Sequence, residues 1–296
     1  CGVRQFGVLG DDVGKLPKET VVKVMNEVSK WGSEKGDVYD FVFVPASYVL
    51  ADWGFDADEL DIYSKEFPND VQIMFTGDIT CAPITQSAIN GFKTKDTKIG
   101  FRRDPLFWMN WPVNDIDRKE TIRVFMGKAE MYHKGVINIV GTITNPMQEA
   151  YASFPAIFQT CDYSWNTESF DYEKSWRDSF KHIESETSDY LLEIATHMSS
   201  ADNGGIEGLE ESKEIQKLFE ELLIRIENDS NQYEYYLKEL IERFENIMNS
   251  IENYLKLTKF EGLKEDLHPY ISSLYYKSLT SKYLLERYLY ERMDYD

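Results

Sequence analysis

Five short apolar runs alternate with helical patterns over the first half of the chain, and this alternation limits the fold more than any other feature. The runs predict strands at 6–9, 40–44, 71–75, 106–110 and 136–140. Each run is apolar throughout, so both faces of every strand are expected to be buried. Strands that alternate with helices through short loops indicate a parallel α/β sheet.

Helical patterns occupy the intervals between these runs, and the first begins at Pro17. Further helices are predicted over 59–67, 85–91 and 148–158, with Gly91 as a C-terminal cap. A complete barrel needs about eight strands. The fold class predicted is therefore α/β, the C-terminal portion of a (β/α)8 TIM barrel (strands 4–8), with about three strands expected before Cys1.

The pattern changes after residue 166. One long helix is predicted over 170–197, and the small polar residues of 199–205 indicate a linker. Beyond it, three apolar stripes at helical spacing predict an antiparallel helical bundle. The predicted domains are a partial barrel at 1–204 and an all-α bundle at 205–296.

The net charge of −20 argues against nucleic acid and anionic membrane surfaces as partners, because both would repel the chain. No apolar run approaches the length of a membrane span, and a neutral sugar remains compatible with the charge. No metal or cofactor is predicted, because the cysteines and histidines are scattered without a ligand pattern. These residues are Cys1, Cys81, Cys161, His133, His182, His197 and His268.

Two adjacent carboxylates, Asp11 and Asp12, directly follow the first predicted strand. In barrels, the residues that carry chemistry lie at such strand exits. Neighbouring carboxylates repel when both are ionised, so one can hold a proton while the other stays anionic. A proton donor beside a fixed anion suits cleavage of a glycosidic bond. The local pattern also allows a plain structural role, in which Asp11 caps a helix and Asp12 is solvated.

Polar and aromatic residues also follow the other predicted strands. In a barrel these exits share one face, so their side chains are expected to converge on one pocket. Core packing for Tyr48 and Trp108, and turn or cap roles for Asp115 and Asn145, are the structural alternatives. The residues are Tyr48, Thr76, Asn110, Asp115 and Asn145.

Taken together, these motifs resemble glycoside hydrolase family 84. Its members are bacterial β-N-acetylglucosaminidases, some of them called hyaluronidases, and eukaryotic O-GlcNAcases. The resemblance covers the chain from Phe6 to the linker, and the helical part resembles the family's helical domain in type only. The motifs that carry it are Asp11-Asp12, Tyr48, the block 108–115, Asn145-Pro146-Met147 and the block 162–166.

The resemblance implies a retaining exo-β-N-acetylglucosaminidase without a cofactor, in which the substrate's own acetamido oxygen is the nucleophile and an oxazoline forms. It gives Asp11 the task of orienting and polarising the acetamido group. It makes Asp12 the general acid and then the general base. The substrate-binding residues it implies are Tyr48 and Trp108 in the acetamido pocket, Asn110 near the reacting sugar, and Asp115 with Asn145 on the O4 and O6 hydroxyls.

Two departures from the family pattern stand out. The family's pocket also uses a glycine-rich strand exit and a lysine from the first barrel strands, which meet the O3 hydroxyl, and these strands are expected before Cys1. Gly10 stands where bacterial members often carry a large aromatic residue. Activity of this chain by itself is therefore an open question.

Two further functions remain open. One is a non-catalytic N-acetylglucosamine-binding remnant that keeps Trp108, Asp115 and Asn145. The other is an interaction module, in which the acidic bundle binds a protein partner. The expected partner is otherwise a glycan or glycoprotein containing N-acetylglucosamine, and the Lys-, Glu-, Ile-, Asn- and Tyr-rich composition fits a secreted or surface bacterial enzyme.

Overall fold

The computed structural model describes residues 2–14, 16–115, 123–199, 206, 208–228 and 232–293. Five strands form one sheet in the order β1-β2-β3-β4-β5, and β1 to β4 pair in parallel. The predicted α/β class is thereby confirmed. The strands are β1 (Phe6–Leu9), β2 (Phe41–Val44), β3 (Val71–Phe75), β4 (Leu106–Pro112) and β5 (Gly141–Asn145).

Helices separate the first four strands, and they account for most of the described chain after β5. Side-chain caps explain three of the starts, and in the fifth helix the cap is Asp171, which accepts the backbone N–H of Lys174. Asp56 accepts hydrogen bonds from the backbone N–H groups of Asp58 and Glu59, and Thr85 accepts one from Ala88. The helices are α1 (Lys18–Lys35), α2 (Ala57–Glu66), α3 (Gln86–Thr94), α4 (Phe154–Trp165), α5 (Tyr172–Glu184), α6 (Ser188–Ala195), α7 (Lys213–Glu227), α8 (Tyr233–Leu257) and α9 (Glu261–Met293).

The chain forms two compact units. The first comprises Cys1–Trp111, Glu130–Asn145 and Thr160–Phe170, and the second comprises Pro112–Ala129, Pro146–Gln159 and Asp171–Asp296. The sheet and α1 to α3 belong to the first unit, and α5 to α9 belong to the second. The domain boundary at residue 204 stays a prediction. Of the described helices, none has both the length and the apolar character that crossing a membrane requires.

Two strand predictions are wrong. The strand expected at 136–140 lies instead at Gly141–Asn145, because Asn138 has a left-handed backbone (φ 61°) that interrupts an extended run. The β-branched Thr142 and Thr144 occupy strand positions in its place. β1 was expected to be buried, but Leu9 is 65% exposed because β1 is at the edge of the described sheet.

The predicted helix over 170–197 is two helices, α5 and α6. The break lies at residues 185–187, where the Glu184 carboxylate accepts hydrogen bonds from groups outside α5. It accepts the Thr187 hydroxyl at 2.5 Å and the backbone N–H of Lys259 at 2.7 Å. These bonds fix the chain in a turn between the two helices.

Two other helix predictions also need correction. The helix expected at 148–158 begins only at Phe154, after a run of turns. Gly91 is not a cap, because α3 continues to Thr94. A Cβ atom on Gly91 would lie 3.1 Å from the Leu50 side chain, so close packing explains this glycine. Of the predicted linker, only Ser199 lies within the described residues.

A buried ion pair joins α2 to the segment that precedes β4. Arg102 is 2% exposed, and its Nε donates to Asp61 Oδ1 at 2.7 Å. The same guanidinium donates to the carbonyl oxygens of Phe92 at 2.7 Å and Lys95 at 2.9 Å, where α3 ends. One side chain therefore holds two helices, and it also satisfies backbone carbonyls that a helix end leaves free.

The pKa of the Asp61 carboxyl is lowered from its ordinary value. Burial opposes ionisation, but hydrogen bonds from Lys98 N and Thr97 together with the Arg102 charge outweigh that cost. A carboxyl with a lowered pKa in the folded state stabilises the fold above the unfolded pKa of about 4. This contribution is lost as the pH falls through the lower, folded value.

Replacing Asp61 with Asn should destabilise the protein by about 3 kcal/mol at pH 7, because the Arg102 charge stays buried without its counter-charge. Urea unfolding between pH 7 and pH 2 measures this. The difference from wild type should shrink below about pH 4 as wild-type Asp61 becomes protonated.

The matched control is Asp58→Asn, which removes the exposed pair between Asp58 and Lys98 at 2.7 Å. An exposed pair contributes little to stability, because water and salt screen its charges. Equal losses in the two variants, or a loss at Asp61 that is independent of pH, would contradict the stabilising role of the buried pair.

Candidate active site

Asp11 and Asp12 lie at the carboxyl end of β1, where a backbone hydrogen bond fixes their position. Gly10 N donates to the Val44 carbonyl oxygen at 2.9 Å, one step beyond the paired residues Leu9 and Val44. A Cβ atom on Gly10 would lie 2.9 Å from that same oxygen, so no side chain fits there. Asp11 is half-buried and Asp12 is exposed, as a group that meets a ligand would be.

Tyr48 and Trp108 form a stacked aromatic pair beside these carboxylates. Their ring centroids are 5.7 Å apart and their planes are inclined by 28°. Burial, and after it the negative charges of Asp12, Asp11 and Asp52, raises the pKa of the Tyr48 phenol. The phenol therefore stays protonated at neutral pH and can donate a hydrogen bond. Both rings pack against a buried apolar cluster of Val42, Val44, Met74 and Leu106.

A buried carboxylate that the sequence analysis missed holds the loop carrying Tyr48. Glu59, 6% exposed, accepts the backbone N–H of Ser47 at 3.0 Å and the hydroxyl of Tyr63 at 3.2 Å. Ser47 Oγ in turn accepts the backbone N–H of Asp56 at 2.9 Å. In the sequence, Glu59 stands four residues before Tyr63 in a predicted helix. A glutamate on the solvated face of a helix has the same spacing, so the sequence did not indicate a buried role.

The exit loop of β3 is joined to the loop that carries Tyr48. Thr76 N donates to the Tyr48 carbonyl oxygen at 2.9 Å, and Leu50 N donates to the Gly77 carbonyl oxygen at 3.0 Å. Gly77 has φ +106°, and a Cβ atom there would lie 2.7 Å from the Ala82 Cβ atom. Only glycine fits this backbone and this spacing.

Asn110 and Asn145 are brought together at the ends of β4 and β5. Asn110 Nδ2 donates to the Thr80 carbonyl oxygen at 2.7 Å, and Asn110 Oδ1 accepts Asn145 Nδ2 at 3.1 Å. The Thr80 carbonyl oxygen can only accept, so the Nδ2 group of Asn110 must face it. Asn110 Oδ1 then faces Asn145 and can also only accept, so Asn145 must present its Nδ2 group. The Oδ1 atom of Asn145 is therefore the end that points away from Asn110.

Six of the seven predicted site residues lie in the first unit, where they form the two groups described above. The seventh, Asp115, belongs to the second unit, where it is exposed three residues beyond the end of β4. Among the described residues, no three His, Cys, Asp or Glu side chains are grouped as a metal site requires. Cys81 is buried and Cys161 is exposed.

Comparison with known proteins identifies relatives of this chain. Residues 1–196 match a family model described as beta-N-acetylglucosaminidase. The structure of CpGH84D is similar over 97% of this chain, with 36% sequence identity and a TM-score of 0.83. The structure of CpGH84B is similar in fold over 100% of the chain, with 21% identity and a TM-score of 0.80.

A third similar structure is that of a mutant of the Thermobaculum terrenum O-GlcNAc hydrolase. It aligns with 99% of this chain and 67% of its own, with 16% identity and a TM-score of 0.73, and it shows the same fold. This chain covers only 50% of CpGH84D and 51% of CpGH84B. It therefore spans about half the length of those two proteins.

Replacing Gly77 with Ala should destabilise the protein by about 3 kcal/mol, because left-handed strain adds to overpacking against Ala82. Gly36→Ala is the matched control. Gly36 also has a positive φ of 74°, but a Cβ atom there would meet nothing within 4 Å, so strain alone costs about 1 kcal/mol. Chemical unfolding measures both variants. Equal losses would mean that close packing against Ala82 adds nothing to the backbone strain at Gly77.

Proposed function

The chain belongs to the beta-N-acetylglucosaminidases of glycoside hydrolase family 84, and from this membership we propose the activity of the full-length protein. It removes terminal β-linked N-acetylglucosamine from a glycan or glycoprotein. The reaction retains the anomeric configuration and uses the substrate's acetamido group as the nucleophile. Asp11 and Asp12 are the catalytic residues in this proposal.

One observation carries the proposal, namely the group formed by the stacked Tyr48–Trp108 pair and the two aspartates. The charges of Asp12 and Asp11 act on the Tyr48 phenol, so these groups are close in space. Aromatic faces suit the methyl group of an acetamide, and a neutral phenol can donate to its carbonyl oxygen. Carboxylates beside such a pocket suit catalysis on the sugar that carries the acetamide.

In the first step, the acetamido oxygen attacks the anomeric carbon while the bond to the leaving oxygen breaks. Asp12 gives its proton to that oxygen, so the aglycone leaves as an alcohol. Asp11 accepts a hydrogen bond from the acetamido N–H and stabilises the positive charge of the oxazolinium. Asp12 ends the step as a carboxylate.

In the second step, water opens the oxazolinium, which has kept its N–H proton. The Asp12 carboxylate takes a proton from the water as its oxygen bonds to the anomeric carbon, and the acetamide is restored. Two attacks from opposite faces give net retention. In this proposal Asn110 lies near the reacting sugar and Asn145 binds its O4 and O6 hydroxyls, and the role of Asp115 stays a prediction.

Hydrolysis of an aryl β-N-acetylglucosaminide by the full-length protein tests the proposal directly. Release of the β-anomer of N-acetylglucosamine, followed by nuclear magnetic resonance, supports it. Binding of N-acetylglucosamine without turnover would replace it with the sugar-binding alternative. This chain, assayed beside the full-length protein, tells whether half of the relatives' length is enough for turnover.

Asp12→Asn should lower kcat/KM for substrates with poor leaving groups by about 10²- to 10⁴-fold, because they need the proton most. Aryl glycosides with acidic phenols as leaving groups should lose less. A series of aryl substrates measures this dependence. The control is Asp37→Asn, because Asp37 is an exposed carboxylate between α1 and β2. This variant should leave kcat/KM unchanged for both kinds of substrate. Equal losses across the series would count against the general-acid assignment.

Asp11→Asn should lower kcat/KM for good and poor leaving groups by a similar factor, about 10²-fold, because the oxazoline must form before either leaves. The same series of aryl substrates gives the measurement. A variant with wild-type activity would rule out participation of the acetamido group with Asp11.

A further inference from the structure

Trp53 is fully exposed on the loop between β2 and α2. This loop, residues 51–56, follows the strand exit that carries Tyr48 and is called the Trp53 loop below. A tryptophan side chain is large and mostly apolar, and on average it is highly buried. Trp53 is 100% exposed and adds nothing to the core of the first unit. An indole in water on a loop at a strand exit indicates contact with a ligand.

Contacts at both ends hold the Trp53 loop in place. At its start, Ala51 N donates to the Asp78 carbonyl oxygen at 2.9 Å, in the exit loop of β3. At its end, Asp56 Oδ2 pairs with Lys18 Nζ at 2.8 Å, in the first turn of α1. A loop that is already fixed loses little conformational entropy when its side chain contacts a ligand.

The tip of the Trp53 loop borders the candidate site. Burial raises the pKa of the Tyr48 phenol, and three negative charges add to this effect, those of Asp12, Asp11 and Asp52. Asp52 directly precedes Trp53, and its Oδ1 accepts the backbone N–H two residues further on at 3.0 Å. The turn that presents Trp53 therefore lies beside the same phenol as the two aspartates.

The neighbouring strand exits also carry exposed apolar side chains. Val13 and Leu16 are exposed in the exit loop of β1, and Ile79 is exposed in the exit loop of β3. Three successive strand exits of the first unit thus present apolar groups to water next to the carboxylates. Such groups favour a ligand that has an apolar face.

The charges beside Trp53 favour a neutral ligand. Asp52 and Asp78 are both exposed carboxylates. Two nearby lysines are engaged within the fold, because Lys18 is paired as described above and Lys95 Nζ donates to a backbone carbonyl oxygen. An anionic ligand would be repelled by the carboxylates, whereas hydroxyl groups can donate hydrogen bonds to them.

We propose that Trp53 stacks on the neutral sugar to which the terminal N-acetylglucosamine is linked. One face of a pyranose ring carries C–H groups, whose partial positive charge fits the negative face of an indole. The exposed carboxylates of Asp52 and Asp78 accept hydroxyl groups of the same sugar. This inference rests on the proposed function and names the class of aglycone, a neutral sugar rather than a uronic acid or a peptide.

The test compares two substrates of the full-length protein, N,N′-diacetylchitobiose and methyl β-N-acetylglucosaminide. Both release an alkyl alcohol, so they need protonation to a similar degree, but only the first has a sugar ring as its aglycone. Trp53→Ala should lower kcat/KM for the disaccharide by about tenfold and change that for the methyl glycoside little. Trp53→Phe, which keeps an aromatic face, should retain most of the activity.

The matched control is Trp165→Ala. Trp165 is another exposed tryptophan of the first unit, but it lies beside residues 136–142, where β5 begins, and not at a strand exit. This variant should leave the ratio of the two kcat/KM values unchanged. An equal change of the ratio in the two variants would overturn the role of Trp53.

A second arm tests the preference for a neutral aglycone. A disaccharide of N-acetylglucosamine linked to glucuronate should be hydrolysed more slowly than the neutral disaccharide, and added salt should narrow the difference. Asp52→Asn removes one charge but keeps the Oδ1 acceptor of the turn, so it should narrow the difference as well. Equal rates for the two disaccharides in the wild-type protein would contradict the preference.

The remaining outcomes separate the two proposals. Equal losses of Trp53→Ala on both neutral substrates, with a lowered unfolding temperature, would mean that Trp53 packs against another part of the full-length protein. A larger loss on a serine peptide carrying β-N-acetylglucosamine than on the disaccharide would assign Trp53 to a peptide aglycone. Either result overturns this inference alone. A wild-type protein that hydrolyses no β-N-acetylglucosaminide, an aryl glycoside included, would overturn the proposed function as well.

Discussion

The buried guanidinium of Arg102 is the contact on which the first unit depends. A charge inside a protein is stable only when it is paired and hydrogen-bonded, and Arg102 meets both conditions through Asp61 and the end of α3. By holding α2, it also holds Glu59, whose carboxylate accepts the N–H of Ser47 beside Tyr48. A packing contact outside the candidate site thus determines where Tyr48, one of its aromatic residues, lies.

The sheet and the loops contribute differently to the candidate site. Parallel pairing brings the strand ends to one edge, and that accounts for the neighbourhood of Asp11, Asp12 and Tyr48. Pairing does not orient side chains. Orientation comes from single hydrogen bonds, such as that from Asn110 to the Thr80 carbonyl oxygen.

Local patterns were enough to predict the parallel sheet, the strand exits and the family, because the residues responsible are neighbours in sequence. They failed where a distant contact decides the structure. The turn between α5 and α6 depends on Lys259, and the glycine at position 91 depends on Leu50. Glu59 resembled a solvated residue because its partner Ser47 belongs to another element. β5 was misplaced because residues 136–140 include Ile and Val, which favour strands, although this segment is irregular.

Gly10 carries a consequence for the evolution of this sequence. Its backbone lies so close to the Val44 carbonyl oxygen that a side chain has no room, and the Phe43 ring lies 3.5 Å from the same position. A large aromatic residue there would need a different path of β1 beside β2, so the substitution cannot be accepted alone. Any change from glycine at this position therefore requires a second change in the path of β1 or β2, and the effect of each depends on whether the other has already occurred.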